Sequence, residues 1–309
     1  MLHLRVISPP ARTGDVRRLL LDEPGATHVT LHAGVALQPP GDLVEADVTR
    51  EAVDALLGRL ADLGIEAAGG ITLETVDTTL SDAADAAEEA VPGDPSDAIV
   101  WDELVERTGE ESRLSVSFQA FLTIACLLAA IGAVTNSPVT VVGAMVLGPE
   151  FGPLAAVAVG VVLRRRDLVR RGGLALAAGF PLAMGVTALA AVVFDAAGLF
   201  PTTLDHLDQT DFVYQVGPFS LIVALLAGAA GMVALNSAKA AALVGVFISV
   251  TTVPAAGFFA VALVEGQYAR AGQSALQLLV NLVGIVAAAV VVLMIYRWNT
   301  ARAARRGGP

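Results

Sequence analysis

The residue whose type and position most suggest chemistry is Glu150, because it lies inside a long apolar stretch. Counting about twelve residues from Pro138 at ~1.5 Å each places it roughly 18 Å along a span, near the middle of a membrane. An ionisable side chain at that depth is costly and indicates an ion or solute pathway, a proton site or a paired structural charge. The alternative is an inert glutamate that caps a broken half-helix at Gly152. The break itself is predicted from the residues around Glu150, which are Gly148, Pro149, Gly152 and Pro153.

Two Asn-Ser pairs form the second group of polar residues between apolar stretches. They are Asn136-Ser137 and Asn236-Ser237, and Lys239 follows the second pair. We predict that these five residues belong to the same ion or solute pathway as Glu150. The simpler alternative is that Asn and Ser cap helices at tight turns, and that Lys239 is a cytoplasmic charge.

Enzymatic chemistry is not expected from this sequence. All four histidines lie outside the apolar stretches, which contain no Ser-His, paired-Asp or His-Glu-x-x-His arrangement. We therefore expect no metal and no cofactor. The formal net charge of −11 also argues against nucleic acid as a partner.

The charges divide the chain into two parts that belong in different solvents. Residues 1–113 carry a net charge of −15 and residues 114–309 carry +4, while 55% of the whole chain is hydrophobic. The second part predicts about six membrane spans, at roughly 115–135, 138–163, 173–199, 217–235, 238–263 and 274–297. Basic residues follow the second and sixth stretches, and no signal peptide precedes the first domain. The positive-inside rule therefore predicts a multi-pass protein of the cell (inner) membrane with both termini in the cytoplasm.

Residues 1–80 predict an α+β, ferredoxin-like cytoplasmic domain of the order βαββαβ. We predict strands at Leu2–Ser8, Ala26–Leu37, Asp42–Val48 and Ile71–Val76, with one helix at Thr13–Leu21 and a second helix capped by Thr49. The loop before the first helix carries Arg12, Thr13 and Gly14. These residues offer an anion or ligand site, with an ordinary capped loop as the alternative.

The remaining segments complete the domain plan. Residues 81–98 are acidic and rich in Ala, so residues 81–113 are predicted to be a linker followed by an amphipathic helix, with Trp101 as an interfacial anchor. The transmembrane domain covers 114–300 and a cytoplasmic tail 301–309. Stretches beginning at Phe121 and Phe219 resemble each other, each with an Asn-Ser pair and a later proline. Because three spans separate them, we predict an inverted 3+3 repeat, as in many secondary transporters.

Residues 136–153 (NSPVTVVGAMVLGPEFGP) resemble the signature of the hydrophobic membrane proteins grouped as domain of unknown function 389 (DUF389). The matching residues are Gly143, Ala144, Met145, Pro149, Gly152 and Pro153. The resemblance spans about residues 115–300, and a plait-like cytoplasmic domain before the membrane part is also familiar in that family. Glu150-Phe151 departs from the two apolar residues expected there. The resemblance implies an architecture and no established activity.

The function expected from these features is a membrane transporter or channel for an ion or small solute, gated by a ligand of the cytoplasmic domain. The alternative is a membrane-anchored oligomeric sensor or scaffold whose cytoplasmic domain binds a metabolite or nucleotide. The expected partners are the lipid bilayer, further copies of the chain and a small-molecule ligand. Small-residue helix faces favour the homo-oligomer.

Overall fold

The computed structural model describes residues 1–93, 98–199, 217–236 and 252–306, with side chains described as far as residue 299. These residues form two compact units. The first comprises Met1–Glu103 and the C-terminal residues from Asn299, and the second comprises Leu104–Trp298.

The first unit is built on a four-stranded antiparallel sheet with the strand order β2-β3-β1-β4. The central strand β1 lies between β3 and β4, so that Leu4 is opposite both Ala46 and Leu73. Along the chain the strands and main helices follow the βαββαβ order predicted from the sequence, with the short α3 added before β4. The strands are β1 (Leu2–Ser8), β2 (Ala26–Leu37), β3 (Pro40–Val48) and β4 (Gly70–Thr75), and the connecting helices are α1 (Pro10–Leu21), α2 (Arg50–Asp62) and the short α3 (Ile65–Ala68).

One face of this sheet is covered by helices because alternate strand residues are apolar. Leu4 and Val6 of β1 are fully buried, and Leu20 of α1 and Leu60 of α2 pack into the same core cluster. Gly64 has a φ of +72°, a left-handed conformation that ends α2 and turns the chain into α3.

Two predictions for this unit were wrong. Helix α1 begins at Pro10 and not at Thr13, because the fixed φ of proline suits the first helical position, and Pro9 occupies the N-cap position. The predicted linker contains a helix, α4 (Asp82–Ala90), whose Ala84 and Ala87 are buried. Asp82 and Asp85 favour helix formation because they lie in the first turn, near the positive end of the helix dipole.

The second unit consists of helices in the part that the structure describes. They are α5 (Trp101–Glu111), whose first three residues belong to the first unit, α6 (Val116–Val134), α7 (Pro138–Leu147), α8 (Phe151–Val162), α9 (Arg166–Ala196), α10 (Pro218–Asn236), α11 (Val253–Val264) and α12 (Tyr268–Arg306).

Four of these helices are long and apolar enough to cross a membrane, namely α6, α9, α10 and residues Tyr268–Asn299 of α12. The α7–α8 pair becomes a fifth if it is counted as one span with a 52° bend. The predicted stretch 238–263 lies largely outside the described residues. Its described part falls in α11, and at twelve residues α11 measures only ~18 Å. The described residues therefore establish four or five candidate spans where the sequence predicted about six.

Glycines bring the central helices into backbone contact. A Cβ on Gly257 of α11 would lie 2.6 Å from the carbonyl oxygen of Cys126 and 2.8 Å from Cβ of Ala129, both in α6. A Cβ on Gly179 of α9 would lie 2.9 Å from Cε1 of Phe118, also in α6. Helices α9 and α11 therefore pack closely on α6, as is typical of small residues at helix crossings in membranes.

Candidate functional site

The candidate site is the break between α7 and α8. Helix α7 ends at Leu147, and Gly148 follows with extended backbone angles of −66° and 122°. Pro149 lacks the N–H that would continue the helix, and α8 starts at Phe151. Pro153 is not part of the break, because it lies in the first turn of α8, where an N–H has no helical partner in any case.

Glu150 lies in this break and is fully buried. Its Oε1 atom accepts a hydrogen bond from the hydroxyl of Thr252. Its Oε2 atom is also buried and has no hydrogen-bond partner among the described residues. The side chain makes no capping hydrogen bond to α8, so the sequence alternative of a simple helix cap does not account for its position.

The shape of the break depends on Gly148. A Cβ at this residue would meet the Glu150 carboxylate, with 3.0 Å to its carbon Cδ, and would lie 2.9 Å from Cγ2 of Val253. Since its φ of −66° is open to any residue, glycine is needed here for space and not for backbone freedom. The carboxylate therefore occupies the space that a side chain at position 148 would fill.

The N-termini of two short helices meet at the carboxylate. Glu150 immediately precedes α8, and Thr252 immediately precedes α11. Unpaired N–H groups and the helix dipole give each N-terminus a partial positive charge, about half a unit. The hydrogen bond between Thr252 and Glu150 shows that both ends lie beside the same carboxylate.

The surroundings of the break are apolar. Val253, which follows Thr252, packs in a buried cluster with Cys126 of α6 and Ala144 of α7. Burial in such a medium raises the free energy of an isolated carboxylate charge. A proton or a counter-ion at Oε2 would lower it.

A second carboxylate approaches the other side of the break. A Cβ on Gly152 would lie 2.5 Å from Cβ of Glu111 and 3.1 Å from its Oε2, so α5 packs directly on the first turn of α8. Glu111 pairs with Arg107 at 3.4 Å, and Arg107 in turn donates to the carbonyl oxygen of Leu235 in α10.

The structure does not bring Asn136 and Ser137 to Glu150. Asn136 has a φ of +50° in the turn after α6, and Ser137 caps α7 by accepting a hydrogen bond from the N–H of Thr140. The ten residues of α7, ~15 Å, separate this turn from the break. The capping alternative therefore accounts for this pair.

The second Asn-Ser pair is only partly described. Asn236 is the last residue of α10, and its buried Nδ2 atom has no partner among the described residues. Ser237 and Lys239 lie outside the described residues, so their predicted part in the pathway stays a prediction.

Three further polar side chains of the helical unit were not predicted from the sequence. Gln119 Oε1 in α6, and Ser274 Oγ and Gln277 Oε1 in α12, are buried without a hydrogen-bond partner in the described part of the chain. Thr252 was also missed. It lies 102 residues after Glu150, and aligning the predicted repeats on α8 and α11, instead of on the Asn-Ser pairs, would have matched the two residues.

The predicted anion loop of the first unit is part of a helix. Arg12, Thr13 and Gly14 all lie inside α1. The Thr13 hydroxyl is within hydrogen-bonding distance of Pro9 O at 3.2 Å and Asp42 Oδ2 at 2.6 Å. The Thr13 hydroxyl and the Gly34 N–H hold the pKa of Asp42 below its ordinary value. The Asp42 carboxylate therefore already occupies the place of an anion beside Thr13.

Two histidines of the first unit share a carboxylate. His3 Nδ1 lies 2.8 Å from Asp47 Oδ1, and His28 Nδ1 lies 2.7 Å from Asp47 Oδ2. Burial raises the pKa of Asp47, but the two histidine contacts outweigh it, and the net shift is downward. The described residues contain no group of three His, Cys, Asp or Glu side chains placed to hold a metal ion.

An apolar helical bundle with a broken helix and a buried carboxylate, joined to a small α+β unit, defines a helical membrane protein. Residues 145–287 match the family described as domain of unknown function (DUF389). This part of the chain therefore belongs to the DUF389 family, as the resemblance predicted. Comparison with curated proteins and with solved structures found no match.

Proposed function

We propose that the protein is a membrane transporter or channel for a cation or a proton-coupled small solute, with Glu150 as its binding group. The observation that carries this proposal is the buried carboxylate whose Oε2 has no partner among the described residues. Two helix N-termini stabilise its negative charge in part. A proton, a metal cation or an ammonium group would supply the remaining stabilisation of the Glu150 carboxylate.

The chemistry of the other unpartnered atoms supports a cation. Within the described helical unit, the buried side-chain atoms without a partner are Gln119 Oε1, Glu150 Oε2, Asn236 Nδ2, Ser274 Oγ and Gln277 Oε1. Three of the five are carboxylate or amide carbonyl oxygens, which attract cations and hydrogen-bond donors, and the Ser274 hydroxyl can also coordinate a cation.

The correspondence between α8 and α11 supports an inverted repeat, the architecture common in secondary transporters. Both helices have twelve residues, and both are followed at the same distance by a left-handed residue, Arg164 with φ +58° and Gly266 with φ +71°. The hydrogen bond between Glu150 and Thr252 then joins equivalent positions. Equivalent residues touch each other only next to a two-fold axis.

The long helices add a second correspondence. In the first half, Gln119 of α6 donates to the carbonyl oxygen of Gly179 in α9 across 60 residues of sequence. In the second half, Ser220 of α10 donates to Asn281 in α12 across 61 residues. Each half thus has the same polar link between its first and last helix, which favours a site at the interface of two related halves.

The test is solute flux into liposomes containing the purified full-length chain. Glu150→Gln keeps the size and an acceptor for Thr252 but removes the charge. We expect it to lower the flux of a transported cation, or of a solute with its proton, at least tenfold while the protein still folds. Asp195→Asn is the matched control, because Asp195 is exposed at the end of α9. Equal flux in the Glu150→Gln variant and in the parent would refute the role of this carboxylate.

The alternative remains a membrane-anchored sensor or scaffold. The close glycine packing of α9 and α11 on α6 favours it, because such crossings leave little space for a pathway. Under this alternative, no solute crosses the liposome membrane, and metabolites or nucleotides raise the melting temperature of the full chain. Flux that depends on Glu150 would exclude it.

A further inference from the structure

We propose that a cavity beside the link between α5 and α6 binds the head group of an anionic phospholipid. The cavity has a volume of about 350 Å³ and is lined by Ser112, Arg113, Leu114, Arg171 and Leu174. It lies where the chain leaves the amphipathic α5 and enters the apolar α6, at one end of the candidate spans.

The lining of the cavity carries positive charge. Two arginines, Arg113 and Arg171, line one cavity, and neither forms an ion pair among the described residues. The neighbouring carboxylates are already engaged, since Glu111 pairs with Arg107 and Asp167 pairs with Arg165. Only Glu110 of α5 adds an uncompensated acidic group near the link. Arginine binds phosphate oxygens through its planar set of donors.

The apolar side of the cavity argues for a lipid as the source of the phosphate. Leu114 and Leu174 line it, and their exposed fractions are 53% and 54%. Two exposed leucines beside two arginines match a molecule with an anionic head and hydrocarbon chains.

The local backbone fixes this arrangement. The N–H of Arg113 donates to Glu110 O at 3.2 Å, and the N–H of Ser115 donates to Arg113 O at 2.8 Å, so the link is a defined turn. Ser115 then caps α6 by accepting from the N–H of Phe118. The positive N-terminal end of a 19-residue helix therefore adjoins the cavity and adds to its attraction for a phosphate.

The experiment measures lipid binding to the purified full-length chain by native mass spectrometry. Phosphatidylglycerol is compared with phosphatidylcholine of the same acyl chains. Each arginine near an anionic head group contributes about fivefold in affinity, so R113Q/R171Q is expected to weaken phosphatidylglycerol binding about 25-fold. The control R166Q/R170Q removes the same charge from exposed positions of α9 outside the cavity, and we expect it to change binding less than about threefold.

Three outcomes would overturn the proposal. Equal losses in both double variants would mean diffuse attraction to the arginine-rich end of α9. Equal affinity for the two lipids would mean that the head-group charge is not recognised. Inorganic phosphate that displaces phosphatidylglycerol at millimolar concentration would mean a soluble anion site. If R113Q/R171Q does not elute as a folded protein, the single variant R171Q carries the test, with an expected loss of about fivefold.

Discussion

Replacing Gly148 by alanine tests whether the Glu150 carboxylate lies where the structure places it. The new Cβ would lie 3.0 Å from Cδ of Glu150 and 2.9 Å from Cγ2 of Val253. Non-bonded carbons prefer about 3.5–4.0 Å, so the carboxylate has to move by roughly 0.5–1 Å. That movement breaks or weakens its hydrogen bond with Thr252.

The expected cost follows from two overlapping effects. Overpacking a core costs about 1–3 kcal/mol, and a lost hydrogen bond to a carboxylate costs about 1.5–3 kcal/mol. Because both arise from one displacement, we expect Gly148→Ala to lower the free energy of unfolding by about 2 kcal/mol. The measurement is equilibrium unfolding of the full chain in mixed micelles.

Gly143→Ala is the matched control for this substitution. Gly143 lies in the same helix, α7, and a Cβ there meets nothing within 4 Å. Alanine in a helix interior is then neutral or stabilising by up to ~1 kcal/mol. In a Glu150→Ala background the cost of Gly148→Ala should fall by about 1 kcal/mol or more, because the obstructing carboxylate is gone and only the contact with Val253 remains. A cost that is the same with and without that carboxylate would refute the geometry described for the break.

Two further predictions concern packing and pH. Gly257→Ala should lower the free energy of unfolding by about 1–3 kcal/mol in the same assay, whereas Gly272→Ala, with open space around it, should not. Burial raises the pKa of Asp54 from its ordinary 3.8 to about 6; the hydrogen bond from the Trp101 N–H opposes this shift and the nearby Asp102 adds to it. The contribution of Asp54 to the free energy of unfolding is therefore present below pH ~4 and lost as the pH rises through 6. Asp54→Asn keeps the acceptor for Trp101, and should therefore raise the melting temperature at pH 8 and leave it unchanged at pH 4. An equal effect at both pH values would contradict this assignment.

The sheet of the first unit was predictable because its signals are local. Alternating apolar residues in β1, and the Pro-Pro-Gly sequence where β2 gives way to β3, indicate strands without knowledge of the rest of the chain. Helix α4 was missed because its sequence is poor in large apolar residues. Only the packing of Ala84 and Ala87 against the rest of the unit shows that such small side chains are buried.

Of the two polar residues at the candidate site, only Glu150 could be predicted from the sequence. A carboxylate between prolines in an apolar stretch is visible in the sequence, and so Glu150 could be identified. Its partner Thr252 could not, because a threonine among apolar residues is common and 102 residues separate the two. The count of about six spans stays a prediction, because the predicted stretch 238–263 lies largely outside the described residues. The break predicted around Glu150 is present, as the 52° bend between α7 and α8.

Helices α9 and α12 are longer than the hydrocarbon core of a bilayer is thick, so the thickness of the bilayer affects this protein. Helix α9 has 31 residues and the candidate span of α12 has 32, so each measures ~45–50 Å, against a hydrocarbon core of ~30 Å. Such helices have to tilt, extend into the aqueous phase or thicken the lipid around them, each at a modest cost per ångström of mismatch. Lipids with longer acyl chains would relieve that mismatch, and those with shorter chains would increase it. The choice of membrane thus acts on the two longest helices, whereas the short helices α8 and α11 have twelve residues each and measure only ~18 Å.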